Sequence, residues 1–231
     1  MKNVAYTKEY LEQCNNYYNK TLSTGYSTEE NYKELRDGIS VLSKRNSFMN
    51  RPNPKDPQII YRYQGSENTI FHNNAEIYSY RTIHGFDFPS LFVHQNGHEY
   101  LFHKRDLYGY SILDLNEMQE FHYYPAASLP FAENETFIWC EVFYNPINNI
   151  IAVSGCFWVY PYGVILADFA DPLKSSSHIE KYGYMEEIYQ IYPDYEFSAW
   201  DGTDLILFNC DEPEKEKVIK SNKYMAWFKK K

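Results

Sequence analysis

Cysteine is scarce in this sequence and is never paired locally. The four cysteines, Cys14, Cys140, Cys156 and Cys210, lie far apart in a chain of 231 residues, and no two of them form a CxxC motif. Zinc sites and disulfide-rich secreted domains are typically marked by such close spacings. Because the N-terminus also lacks a charged-then-apolar leader, we expect a reduced, cytoplasmic setting and no zinc site.

The local signatures of common enzyme classes are also missing. The sequence contains no glycine-rich phosphate loop, no zincin helix and no serine elbow. Cys156 as a nucleophile would need an activating histidine, and the linear order selects none of the seven. A glycosidase needs two converging carboxylates, for which Asp106, Asp168, Asp201 and Asp204 are candidates, but Asp168 and Asp201 lie where turns commonly use Asp as a cap. We therefore assign no catalytic residue and expect no cofactor.

Basic residues are almost absent from one long segment. Residues 111–213 contain two of them, Lys174 and Lys181, against seventeen acidic residues, for a net charge of −15. Residues 1–55 hold nine basic and six acidic residues, and residues 214–231 hold seven and two. An acidic segment repels phosphate backbones, so we expect no nucleic-acid partner. A basic protein, a cation or the basic chain ends are the natural partners, unless the acidic face only maintains solubility.

The uncharged stretch from Ile150 to Ala167 has a length that must be tested as a membrane span. Gly155 and Pro161 interrupt it, which favours strand, loop and strand over a spanning helix. We predict buried strands at Ile150–Ser154 and Val164–Phe169, in the middle of a layered sheet, and no membrane partner.

The first fifty residues have the spacing of two helices. Apolar residues recur at helical intervals in Thr7–Leu22, and Thr7 can cap the start. Ser27 and Glu30 form a capping box for a second helix. The apolar face of that helix would comprise Tyr32, Leu35, Ile39 and Leu42. We therefore predict a helical hairpin over residues 1–50, docked on a β domain of residues 58–231, with the proline-rich residues 50–57 between them.

A strand pattern recurs about every fifty residues in the β domain. The first copy comprises Leu91–Gln95, Glu99–His103, Tyr110–Leu115 and Gln119–Tyr124. The second comprises Phe137–Tyr144, Ile150–Ser154, Val164–Phe169 and a return near His178–Tyr182. The third comprises Phe197–Trp200, Leu205–Asn209 and Lys217–Lys220. The turn residues Gly97, Asn149 and Gly202 are 52 and 53 positions apart, and Ile59–Ile83 could form a degenerate first copy.

In a general way, residues 86–220 resemble β-propeller repeats of the WD type. Asp114 and Asp168, at strand ends, and the Trp200-Asp201 pair carry this resemblance. A Gly-His dipeptide at a blade start is absent, and the Trp-Asp pair lies at a different point of the unit. The resemblance implies no activity, but it implies repeated antiparallel sheet units, either propeller-like or forming a rolled open sheet. The expected fold class is mostly β with an N-terminal α-helical hairpin.

Histidines cluster around the hairpin signal Asn96-Gly97. A two-residue loop there would pair His94 with Glu99, and His94, Glu99 and His103 would share one face of the sheet. These three residues are the metal-ligand candidates of the sequence. A structural pairing of His94 with Glu99 is the commoner use of such residues, so we predict no metal site.

An aromatic loop joins the two predicted strands of the uncharged stretch. Loops at one end of a repeated sheet form a binding rim, and aromatic side chains dominate binding hot spots. The predicted rim residues are Arg105, Tyr108, Cys156, Phe157, Trp158, Tyr160, Tyr162 and Trp200. Alternatively, the aromatic rings fold inward and plug one end of the sheet.

These features favour a non-catalytic protein-binding module with an acidic surface, in its sharpest form an inhibitor, immunity or antitoxin-like protein for a basic partner. The alternative is a hydrolase or lyase that acts on a carbohydrate or another small molecule through rim carboxylates. A deep pocket with two carboxylates of raised pKa would favour that enzyme, and a flat acidic face would favour the binder. A third possibility is a structural subunit that docks through its helical hairpin.

Overall fold

The computed structural model describes residues 2–22, 26–53, 56–83, 89–124, 137–156, 162–173 and 194–229. In these ranges the chain is mostly β and forms four small antiparallel sheets, without a closed barrel. The described helices are too short and too polar to cross a membrane. The uncharged stretch forms two strands, as predicted.

The first sheet has the strand order β2-β3-β4-β5, and α1 (Lys8–Leu22) precedes it. Its strands are β2 (Tyr26–Arg36), β3 (Ile39–Asn53), β4 (Asp56–His72) and β5 (Ala75–Thr82). The prediction of α1 is confirmed, but the predicted second helix is wrong because its residues form β2, the turn and the start of β3. Tyr32, which that helix would have buried, is 64% exposed.

Two local features explain why the second helix does not form. Asp37-Gly38 makes a hairpin turn in which Gly38 has φ +76°, a conformation that glycine adopts without a steric penalty. The acidic residues of the expected capping box instead face basic residues across the sheet: Glu30 pairs with Lys44 at 3.1 Å and Glu29 with Arg45 at 3.8 Å. The segment therefore gains a cross-strand ladder in place of helix caps.

The described parts of the proline-rich segment belong to the ends of two paired strands. β3 continues to Asn53 and β4 starts at Asp56, so strand structure extends into the predicted boundary. Pro52 pairs with Ile60, beyond the first β2 pair at Tyr26 and Phe48. Because Pro52 pairs with only one strand among the described residues, its missing N–H does not interrupt a second ladder there.

The second sheet has the order β1-β9-β8-β7-β6. Its strands are β1 (Lys2–Asn3), β6 (Ser90–Val93), β7 (Glu99–His103), β8 (Tyr110–Asp114) and β9 (Gln119–Tyr124). The last four match the predicted first copy to within one or two residues. The N-terminal β1 completes the sheet by pairing antiparallel with β9.

The third and fourth sheets contain three strands each. The third comprises β10 (Ile138–Asn145), β11 (Ile150–Cys156) and β12 (Gly163–Asp168). The fourth comprises β13 (Tyr195–Asp201), β14 (Asp204–Asn209) and β15 (Glu216–Ile219), followed by α2 (Ser221–Lys229). These strands were predicted, whereas α2 was not. The predicted return near His178–Tyr182 lies outside the described residues.

Each sheet packs against the next one along the chain. One apolar cluster joins the second, third and fourth sheets, and another joins the first sheet to the second. A smaller cluster joins α1, the β7–β8 loop and β10 through Val4, Tyr10, Tyr108 and Ile138. The second sheet therefore has neighbours on both of its faces.

Three hairpin turns meet at one end of these sheets, which we call the turn end: residues 94–98, 145–149 and 201–204. The Asn149 amide donates to Gln95 at 2.7 Å, and the Asn145 amide donates to the Gly202 carbonyl at 2.8 Å. Tyr224 of α2 donates to the Thr203 carbonyl and accepts from Asn148 at 2.6 Å. The opposite end, which we call the loop end, includes Lys104–Gly109, Cys156, Tyr162 and residues 210–215.

Candidate functional site

Two predicted rim residues of the β7–β8 loop are turned inward. Tyr108 is only 8% exposed and packs against Val4, Tyr10 and Ile138. Arg105 donates to both carboxylate oxygens of Glu120, at 2.8 and 2.7 Å, and to the Tyr78 hydroxyl at 3.1 Å. Both side chains therefore join sheets and do not form a rim.

Glu120 is the acidic centre of this inward-facing group. Glu120 is 3% exposed, and its carboxylate lies 3.3 Å from the His103 ring. Burial alone would raise its pKa, but the hydrogen bond and charge of His103 and the charge of Arg105 outweigh burial and lower the pKa to about 2. Glu120 is therefore ionised throughout the neutral range and serves as the counter-ion of Arg105.

The aromatic loop is described only at its two edges. Cys156 is partly buried at the end of β11, and Tyr162 is 43% exposed just before β12. The Cys140 thiol donates to the Tyr162 oxygen at 3.7 Å, and this contact, with the charge of Cys140 and burial, raises the pKa of Tyr162 to about 12. Phe157, Trp158 and Tyr160 lie outside the described residues. Cys156 and Tyr162 thus lie at the loop end, and their role in a binding rim stays a prediction.

Trp200 does not belong to the loop end. Its indole nitrogen donates to the Phe143 carbonyl at 3.4 Å, and its ring packs edge-on against Phe197 and Tyr224. Because β13 runs towards the turn at residues 201–204, Trp200 lies near the turn end. Its predicted place on the rim is wrong.

The three metal-ligand candidates are separated by a register that differs from the predicted one. Val93 pairs with Glu99, and the His94 N–H donates to the His98 carbonyl at 2.9 Å, which leaves a three-residue loop instead of two. This one-residue shift reverses the face of one strand relative to the other. His94 therefore lies on the opposite face from Glu99 and His103.

The candidates accordingly have separate partners. A ring nitrogen of His94 lies 2.9 Å from the Phe169 carbonyl, Glu99 forms an ion pair with Arg36, and His103 packs on Tyr80 with ring centroids 4.0 Å apart. Within the described ranges, no three His, Cys, Asp or Glu side chains converge as a metal site would require.

A buried polar chain that the sequence reasoning missed connects the second sheet to α1. Ser111 Oγ lies 2.7 Å from His122 Nδ1, and His122 Nε2 lies 2.7 Å from Asp106 Oδ2. Tyr10 of α1 donates to the same carboxylate and stacks on the His122 ring. The Gly109 N–H donates to Asp106 Oδ1 at 2.5 Å. We call this chain of Ser111, His122, Asp106 and Tyr10 the relay, and each of its side chains contacts another member through a polar atom.

The relay contains the residue types of a nucleophilic triad, but all three side chains are buried. Ser111 and His122 are 0% exposed and Asp106 is 1% exposed. A Cβ atom at Gly109 would lie 2.7 Å from His122 and 2.9 Å from Asp106, so no space remains beside the ring. Burial opposes ionisation of Asp106, but His122 outweighs it and lowers the pKa of this carboxyl group. The relay anchors α1 to the sheet.

A signal for part of this relay was present in the predicted hairpin of β8 and β9. With the turn at residues 116–118, Ser111 stands directly opposite His122 and Leu113 opposite Glu120. Polar residues at alternate positions of two paired strands share a face. The partners from Asp106 and Tyr10 had no local signal.

An open cleft of about 470 Å³ lies between α1, the first sheet and Arg105. Its carboxylates include Glu67, which forms an ion pair with Arg81 at 3.3 Å, and the exposed Glu76. Where the pKa of a described carboxyl group is shifted, the shift is downward, as for Asp106, Asp114, Glu120 and Asp204. Downward shifts favour charge pairing and do not create a general acid.

The fourth sheet presents an acidic surface. Residues 194–219 contain eight acidic and two basic side chains, for a net charge of −6. The acidic surface is defined here by six exposed or half-exposed residues, Asp194, Glu196, Asp211, Glu212, Glu214 and Glu216. Glu212 forms an ion pair with Lys215 at 2.5 Å, whereas Asp194, Asp211 and Glu214 form none with the described residues.

The acidic surface and the described edge of the aromatic loop both lie at the loop end. Tyr162 is 43% exposed just before β12, and Glu196 accepts from the Cys210 thiol at 3.4 Å. Exposed aromatic and acidic side chains at one end of the sheets combine apolar contact area with negative charge, a composition suited to a protein interface.

Comparisons with known proteins yield one distant relative. The sequence matches no family model and no solved structure. Over 102 residues it is 31% identical to the uncharacterized protein R762 of Acanthamoeba polyphaga mimivirus. The matched region covers 42% of this chain and 39% of the relative, so the chain spans well under half of that protein.

Proposed function

We propose that this protein is a non-catalytic binding module that captures a basic protein, in the manner of an inhibitor, immunity protein or antitoxin. The observation that carries the proposal is the acidic surface of the fourth sheet, where Asp194, Asp211 and Glu214 have no ion-pair partner among the described residues. Unpaired carboxylates of one sign attract a cationic partner over about 8–10 Å at moderate salt. Such a field accelerates encounter and rejects acidic competitors.

The buried polar groups support a binder over a hydrolase. The Ser111, His122 and Asp106 relay is fully buried, so it has no access to substrate. A hydrolase of the carboxylate type needs an acid whose pKa is raised towards neutrality. The pKa values of the carboxyl groups Asp106 and Glu120 are instead shifted downward, by His122 and by His103 with Arg105 respectively. These groups stabilise the fold.

The finer description of the fold is also a proposal: the four sheets are blade-like units of a propeller-like arrangement or of a rolled open sheet. Each sheet is built from strands consecutive in sequence, with β1 as the added fifth strand of the second sheet. Neighbouring sheets share apolar clusters, and the turns of the second, third and fourth sheets meet at the turn end. An experimental structure in which one rotation superposes successive sheets would support repeated units, and unrelated rotations would refute them.

The function can be tested with a partner captured from the source cell by the immobilised chain. The triple variant D211K/E212K/E214K reverses three charges of the acidic surface. The matched control E9K/E34K/E76K makes the same change in net charge at exposed positions of α1 and the first sheet. We expect the first variant to lower the association rate at least about tenfold at low salt and the control to change it by less than about twofold.

Salt provides the second arm of the test. The association rate of the wild-type chain should fall steeply between low and physiological ionic strength, because the charges are exposed and therefore screened. The rate of the triple variant should be nearly independent of salt. A captured partner of acidic pI, or equal rates for the triple variant and its control, would refute the proposal.

A further inference from the structure

Two cysteines that are distant in sequence come together at the loop end of the third sheet. In the pairing of β10 with β11, Ile138 lies opposite Cys156 and Trp139 lies opposite Gly155. A bulge between Trp139 and Glu141 leaves Cys140 as the extra residue on β10. Cys140 and Cys156 both pack against the small cluster that contains Ile138, so their side chains lie on the same face of adjacent strands.

The two thiols lie close together. Cys140 and Cys156 pack on the same cluster, both are free and only partly buried, and burial and then Cys140 raise the pKa of Cys156. On the other side of β11, Gly155 pairs with Gly163, which places Tyr162 beside Cys156. The Tyr162 oxygen accepts from the Cys140 thiol, and its side chain is 43% exposed. Small solutes can therefore reach the two thiols beside the exposed Tyr162 ring.

The other two cysteines provide a contrast within the same chain. Cys14 on α1 neighbours Tyr10, Asp106 and Arg105. Cys210 in the β14–β15 turn neighbours acidic residues, with its thiol donating to Glu196. Burial comes first among the causes that raise the pKa of each of these thiols to about 11. Cys14 packs on the same small cluster as Cys140 and Cys156, but it lies on α1 beside Tyr10 and not on a strand paired with β10 or β11.

We propose that Cys140 and Cys156 form an oxidisable dithiol, which a peroxide converts into a disulfide that links β10 to β11. The register places Cys140 diagonally from Cys156, two positions beyond its direct partner Ile138. Diagonal neighbours are about 7–8 Å apart, just beyond the Cα separation that a disulfide spans, roughly 4.4–6.8 Å. The bulge supplies the local backbone freedom that brings an offset pair into reach. The reaction involves only this pair and an oxidant, and it does not depend on the proposed binding function.

The chemistry balances as a two-electron oxidation. One thiolate attacks a peroxide oxygen, the O–O bond breaks, and hydroxide leaves to give a sulfenic acid. The second thiolate attacks that sulfur, the S–S bond forms, and hydroxide leaves again. With the two thiol protons, both hydroxides become water, so two thiols and one hydrogen peroxide give one disulfide and two waters. Burial raises the pKa of Cys156, so the reaction should be slower than that of an activated catalytic thiol.

The test uses the folded full-length chain treated with hydrogen peroxide, with N-ethylmaleimide then added under denaturing conditions to label the remaining thiols. Untreated protein should take up four labels, one for each cysteine. Oxidised protein should take up two, with a mass loss of two hydrogens and a peptide cross-link between Cys140 and Cys156. Dithiothreitol should restore all four labels.

Single variants identify the pair. C14S and C210S should still lose two labels on oxidation and show the same cross-link, whereas C140S and C156S should form no intramolecular disulfide. Circular dichroism of each variant establishes that it is folded. Because the 140–156 cross-link closes a short loop, the oxidised wild type should also melt about 5 °C higher than the reduced protein.

Three outcomes would overturn the proposal. One is retention of all four labels after treatment, and another is addition of oxygen to Cys140 or Cys156 without a cross-link. The third is a disulfide that involves Cys14 or Cys210, or one that joins two chains. The wild-type measurement alone decides among these outcomes, so the result does not depend on the folding of any variant.

Discussion

The two faces of the second sheet are both buried, yet they are filled by different chemistry. The face towards the third sheet is aromatic and aliphatic, with Tyr100, Phe102, Tyr110, Ile112 and Tyr123 in one cluster. The face towards the first sheet and α1 carries Ser111, His122, Glu120 and His103, each at most 3% exposed. The same four strands thus separate an apolar interior from one in which polar side chains lie beside the buried apolar residues Leu101 and Leu113.

This difference teaches which kind of contact sets position and which supplies free energy. Apolar burial is non-directional and contributes roughly in proportion to area. Hydrogen-bonded charges are directional, and they are costly when one partner is lost. The polar face therefore fixes where α1 and the first sheet dock, through Tyr10 with Asp106 and Tyr78 with Arg105. The apolar face joins the second sheet to the third.

The largest expected effect comes from breaking the polar face at Asp106. Asp106→Ala leaves His122, Tyr10 and the Gly109 N–H without this acceptor in a buried site. We expect a loss of about 4 kcal/mol in the free energy of unfolding, measured by urea denaturation. The control Asp168→Ala removes a half-buried carboxylate that accepts from Ala170 at the end of β12, and it should cost about 1 kcal/mol. Equal losses would contradict the special role of the polar face.

The next effect comes from the apolar face. Ile112 is 0% exposed and lies between Phe102 and Phe121 on the neighbouring strands. Ile112→Ala should cost about 3 kcal/mol in urea denaturation, because it removes apolar contacts and leaves a cavity. Ile147→Ala, at a residue that is 61% exposed, should change stability by less than about 0.5 kcal/mol. A cost below about 1 kcal/mol at Ile112 would show that this face is not a packed interior.

The smallest of the three effects is a loss of stability in acid, which should come from the polar face and not from the apolar face. The pKa of Glu120 is lowered to about 2 in the folded protein, so its stabilisation is complete above its unfolded pKa of about 4.3 and is lost as pH falls through the folded value. Asp106, whose pKa is also lowered, has the same sign. The free energy of unfolding should therefore fall by about 2 kcal/mol between pH 5 and pH 2 because of Glu120.

Glu120→Gln and Ile112→Ala provide the paired comparison for this acid effect. The glutamine variant removes the titrating group from the polar face, so its stability should decline less steeply with acid than that of the wild type. The alanine variant changes only the apolar face and should keep the wild-type slope. Identical slopes for all three proteins in urea titrations between pH 5 and pH 2 would contradict the downward pKa shift of Glu120.

Strand positions were largely readable from the sequence because their signals are local. Turn residues and runs of β-branched or aromatic residues placed β7, β8, β9, β11 and β12 to within one or two residues. The prediction of the second helix was wrong because the capping box and helical spacing of residues 27–42 compete with the hairpin turn at Asp37-Gly38. Local helix signals lose when a neighbouring strand offers a longer ladder.

Register and interior polarity were not readable in the same way. The hairpin has a three-residue loop where a two-residue loop at Asn96-Gly97 was predicted. The Asn96 side chain accepts from the His98 N–H, and the Asn96 backbone N–H donates to His94 Nδ1. That one-residue difference in loop length places His94 on the opposite face of the sheet from Glu99 and His103, so the three metal-ligand candidates do not converge. The partners of His122 come from a loop 16 positions away and a helix more than 100 positions away, a distance that no periodicity encodes.

The pairing of β1 with β9 also has a consequence for how the chain acquires its structure during synthesis. Lys2 and Asn3 lie opposite Tyr124 and Tyr123, so the ribosome must release more than 120 residues before this ladder can exist. Until then the nascent N-terminus and α1 have no docking partner in the second sheet, and closing so long a loop slows folding. A bulky fusion ahead of Met1 would therefore hinder the pairing of β1 with β9, whereas a tag after Lys231 would not.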